Sequence, residues 1–83
     1  MQTYRVELQL NPGSLAIAGE RARSAVEELA REGVTVRWIR SVYVAEEDEC
    51  FFVFEAPSPD AVSEASRRAA VAYERTVEGG DRR

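Results

Sequence analysis

Histidine and lysine are both absent from this chain of 83 residues, and cysteine occurs once, at Cys50. Without an imidazole the chain lacks the commonest general base and the commonest metal ligand together. A lone cysteine leaves no intrachain disulfide, which fits a reducing compartment. With no histidine to activate it, Cys50 reads as a small buried apolar residue rather than a nucleophile. No run approaches the roughly 20 apolar residues that span a bilayer, and the opening MQTYRVELQL lacks the charged and apolar regions of an export signal. A cytoplasmic chain is expected. Also missing are a glycine-rich phosphate loop, a Cys or His cluster, a Ser/His/Asp set and any internal repeat, so neither a metal nor a cofactor is expected. The 11 basic residues, all arginine, face 15 acidic ones for a net charge of -4. That balance offers no electropositive footprint for a nucleic-acid backbone or an anionic membrane.

What is present is strong periodicity. Tyr4, Val6, Leu8 and Leu10 alternate with Arg5, Glu7 and Gln9, the period of a half-buried strand. Asn11-Pro12-Gly13 breaks it, and Ser14 is placed to cap a helix running to about Glu32. Leu15, Ala18, Ala22, Ala25, Val26 and Leu29 recur on one side of that helix, and Gly33 suits its C-terminal turn. Val34 to Val44 and Cys50 to Ala56 are rich in β-branched and aromatic residues and flank the acidic tip Glu46-Glu47-Asp48-Glu49, which predicts a hairpin. The tip lacks the spaced ligands and turn glycine of a calcium loop, so it reads as a solvated turn. Pro57-Ser58-Pro59 ends the hairpin, and a second helix opens at Ser58 or Asp60 with Ala61, Val62, Ala65 and Ala69 inward. Period 2 returns over Val71 to Val77. Residues 79–83 form a polar tail.

The order is βαββαβ, an α+β fold of the ferredoxin-like kind, in one domain over residues 1–78. Right-handed crossovers place both helices on one face of a four-stranded antiparallel sheet and leave the other face bare. If Phe52, Phe54 and Ala56 meet the helices, then Phe51, Val53 and Glu55 lie on the bare face beside Arg5, Glu7 and Gln9. Exposed Phe51 and Val53 call for cover, and a second copy of the chain supplies it through a two-fold interface, with a cavity between the sheets. A homodimer is expected. The facing of strand two stays open, because Val36, Trp38, Arg40 and Val42 share one side, Arg37, Ile39, Ser41 and Tyr43 the other, and one bulge exchanges them.

Over WIRSVYVAEEDECFFVFEAPSPDAVSEASRRA the sequence resembles a domain-of-unknown-function family of small ferredoxin-like proteins, some of them called nickel-binding proteins. The resemblance extends over nearly the whole chain and implies a ferredoxin-like fold, a dimer tendency and, in some members, a nickel site built on histidines. The positions that match those histidines are Arg40 and Ala65, so a nickel role does not carry over. Ser41, Cys50 and Glu55 carry over only as pattern positions.

Several residues are candidates for chemistry. Arg40 can clamp a carboxylate or phosphate through two parallel hydrogen bonds, or serve as an edge-strand charge that blocks association. Arg5 and Arg37 are weaker versions of the same. Glu7 and Glu55 share the bare face and, if they converge, would suit proton transfer, one held protonated and one ionised; the alternative is a pair of arginine salt bridges. Glu74 is placed to join them from the fourth strand. Trp38 and Tyr43 each join an apolar body to a polar tip, suited to ligand stacking or to anchoring a core. The expectation is a small-molecule-binding dimer or a cofactor-free isomerase- or cyclase-like enzyme, with a metal-binding protein or a pure interaction module as alternatives.

Overall fold

The structure of the chain, a computed structural model, describes residues 1–70 in full and residues 73–78 by their backbone. Its elements follow in the order β1 (Gln2–Leu8), a single 3-10 turn (Pro12–Ser14), α1 (Leu15–Arg31), β2 (Arg37–Val44), β3 (Glu49–Ala56), α2 (Pro59–Arg68) and β4 (Tyr73–Glu78). This is an α+β architecture of two helices and an antiparallel sheet. In the sheet β3 lies between β2 and β1, and the backbone of β4 pairs along the far side of β1. The helices pack on the side that Tyr4, Val6, Leu8, Cys50, Phe52, Phe54 and Ala56 present, closing a core with Ala18, Ala22, Ala25, Leu29, Val62, Ala65 and Ala69. The alternation in β1 and β3 thus assigns the faces as the sequence predicts.

Differences cluster at element ends. The first strand stops at Leu8, so Leu10 packs on the core from outside it. Ser14 makes no capping bond to the helix, because the 3-10 turn before α1 already continues into it; its hydroxyl donates instead to Asn11 Oδ1 at 3.4 Å. Ser58 does cap α2, accepting from the Ala61 amide at 3.2 Å, with Pro59 at the first helical position where its missing N–H costs nothing. Val71 and the tail 79–83 lie outside the described residues.

Gly19, in mid-helix, lets α1 approach the sheet closely: a methyl group there would stand 3.1 Å from both Ser41 Oγ and the Trp38 ring. Small residues on the rest of that face, Ala18, Ala22 and Ala25, serve the same approach. At the end of α2, Ala70 has a φ of 57°, the left-handed conformation that a side chain disfavours. Ala70→Gly is therefore expected to stabilise the chain by about 0.5–1 kcal/mol, read as a higher denaturant midpoint at unchanged m-value.

Candidate functional site

The helix-free face of the sheet gathers most of the polar candidates, and the register across the strands says how. On β3, Phe51 stands between Glu7 of β1 and Val42 of β2, and Val53 between Arg5 and Arg40. Cross-strand neighbours stand about 5 Å apart, within reach of long side chains that lean over shorter ones. The Arg5 guanidinium lies over the Phe51 ring, 5.1 Å from its centroid, a cation–π contact. Within one chain Phe51 is 2% exposed and Val53 1%. This corrects the expectation that both stand bare and call for a second sheet: β3 is interior to the sheet, and neighbours on both sides already cover it.

Arg5 and Glu7 form an ion pair of 3.0 Å, with side chains only 15% and 4% exposed. Arg5 Nε is buried with no hydrogen-bond partner. Glu55 pairs with Arg37 at 2.7 Å, where both are open to solvent. The two carboxylates share a face but stand apart: Glu7 is opposite Phe51, while Glu55 lies four residues further along β3, about 13 Å at strand rise. Within one chain they do not converge as a proton-sharing pair. Each is held by an arginine.

The open question about β2 is decided by a bulge. The register slips between Trp38 and Arg40, leaving Ile39 without a partner on β3. Before the slip Trp38 faces the helices, opposite Phe54; after it Ser41 and Tyr43 do so, opposite Phe52 and Cys50, while Arg40 and Val42 turn to the helix-free face. Trp38 packs edge-on against Phe52 at 6.2 Å and carries the Arg23 guanidinium of α1 over its ring at 5.5 Å. It anchors α1 to the sheet rather than lining the face with Arg40. Tyr43, at the outer edge of the helix side, donates its hydroxyl to Asp48 Oδ1 at 3.4 Å. Desolvation and the Asp48 charge raise its pKa. Burial likewise pushes the Cys50 thiol up, away from thiolate chemistry. The side chain of Glu74 lies outside the described residues.

A second polar centre escaped sequence reasoning. Arg68, near the end of α2, donates from Nε to Glu64 at 2.7 Å on its own helix and reaches α1 and its C-terminal cap, bonding Glu28 at 3.0 Å and Glu32 at 2.7 and 2.8 Å. The Glu64 and Arg68 spacing of four was the legible half of this network. Arg67 makes a further short ion pair with Glu64. Together, Arg67 first and then Arg68, they hold the Glu64 carboxyl at about 2, and Arg68 lowers that of Glu32 from an ordinary value near 4.5. Both shifts favour the ionised form in the folded state. Their stabilisation is therefore complete above about pH 4.5 and lost as pH falls towards about 2. The melting temperature of the chain should fall across that window, and Arg68→Gln should flatten the fall. An open groove of about 520 Å³ runs beside this network, lined by Ile17, Glu20, Arg21, Ser24, Ala25, Glu28, Arg68, Ala69 and Ala70. It is on the helix side, remote from the helix-free face.

The donors do not suit a nickel centre. Among the described residues no group of three or more His, Cys, Asp and Glu is placed to hold a metal ion. Arg40 and Ala65, the positions matched to family histidines, lie on opposite sides of the sheet, Arg40 on the helix-free face and Ala65 in the core. Ligands there would not meet within one chain.

Two helices packed on one face of an antiparallel sheet, with arginines and glutamates on the second face, define a small α+β protein. Residues 8–78 match the model of a family described as nickel responsive protein SCO4226-like, and the chain belongs to that family. Its structure is similar to the crystal structure of SCO4226 from Streptomyces coelicolor A3(2), with a TM-score of 0.73 over 100% of both chains at 14% identity. At that identity the likeness concerns the fold. No curated protein matches the chain in sequence.

Proposed function

We propose that this chain is a single-domain, ferredoxin-like binding protein of the cytoplasm, with a small anionic ligand taken on the helix-free sheet face. The supporting observation is the row Arg40, Val53, Arg5, in which Arg40 of β2 and the Glu7-paired Arg5 of β1 stand on either side of Val53 on the intervening β3. Arginines so spaced suit a carboxylate or phosphate bridging them above Val53, which the neighbouring side chains already cover. Binding is favoured over catalysis because Glu7 and Glu55 are each engaged by an arginine and stand four residues apart along the register of β3, so no acid–base pair is gathered at one point. A proton-transferring enzyme would need the two carboxylates brought together between copies. Native mass spectrometry of protein purified from its own host tests the reading: a species retaining a phosphate or carboxylate anion supports it. Bare protein that also takes up neither phosphate nor a small carboxylate when these are added would overturn it.

A second reading, a metal-binding protein, rests on membership of a family described as nickel responsive. Carboxylates and one buried thiol are poor substitutes for imidazole at a borderline metal. Calorimetric titration of the chelator-treated protein with nickel is expected to show no saturable binding at micromolar metal. A stoichiometric isotherm would replace the first reading with this one.

A further inference from the structure

We draw no further inference here: the strongest candidate, the open groove between α1 and α2 lined by Ile17, Arg21, Ser24 and Arg68, carries nothing, because Arg68 is already bonded to Glu28, Glu32 and Glu64 and nothing in the structure shows what fills it.

Discussion

Phe52→Ala is expected to remove a large part of the chain's stability at 25 °C. Phe52 is fully buried at the centre of β3 and takes edge-on contacts from two rings, Trp38 at 6.2 Å and Phe54 at 5.8 Å. Truncating a buried phenylalanine costs about 3–5 kcal/mol, the transfer of the ring plus the cavity it leaves. A domain of this size has about 4–12 kcal/mol in total. The cavity would not collapse easily, because Trp38 is wedged between Phe52 and the Arg23 guanidinium and Gly19 already holds α1 as close as the indole allows. Urea titration followed by Trp38 fluorescence measures this directly, since Trp38 is the chain's sole tryptophan. Phe52→Leu should recover a good part of the loss. An alanine variant with a denaturation midpoint near that of the parent would mean that the two aromatic contacts do not carry the packing of α1 on the sheet.

The contrast between Phe52 and its neighbour Phe51 shows what the sequence could and could not convey. Alternation along β3 assigned Phe52 and Phe54 to the helices and Phe51 and Val53 to the other side, and the core contains the first pair and not the second. Period 2 specifies a face, but it does not say how much of that face neighbouring strands cover. The cover on Phe51 comes from the lateral register of β1, and register is a property of strand pairing that no single strand displays. Trp38 and Arg40 illustrate a second limit. Their spacing of two puts them on one side of an ideal strand, and a single unpaired residue, Ile39, separates them. A bulge is a backbone event, and WIR carries no glycine to announce it. The Arg68 network marks a third. Its partner on α2 follows from helical spacing, whereas Glu28 and Glu32 are brought to it only by the packing of two helices against each other.

Arg5→Ala is expected to destabilise the chain by about 2–3 kcal/mol, out of proportion to an ordinary strand substitution. Removing one partner of a buried ion pair leaves the other charge in a place where water cannot solvate it, and Glu7 is 3% exposed. The loss falls just below the roughly 3–5 kcal/mol usual for such pairs because Glu7 has a further interaction besides that with Arg5. The same variant uncovers Phe51, whose ring the Arg5 guanidinium overlies, so part of the cost is lost cover rather than lost charge. A double-mutant cycle separates the two. Glu7→Gln in the Arg5→Ala background removes the stranded charge and should recover about half of the lost stability, while the contribution from Phe51 remains. Arg5→Met keeps an apolar stem over the ring without the guanidinium, and together with Glu7→Gln it should come close to the parent. If Arg5→Ala alone proves neutral in urea titration, Glu7 is solvated in the folded chain. The helix-free face would then be a wet surface, and its arginines would have no preorganised partner with which to hold a ligand.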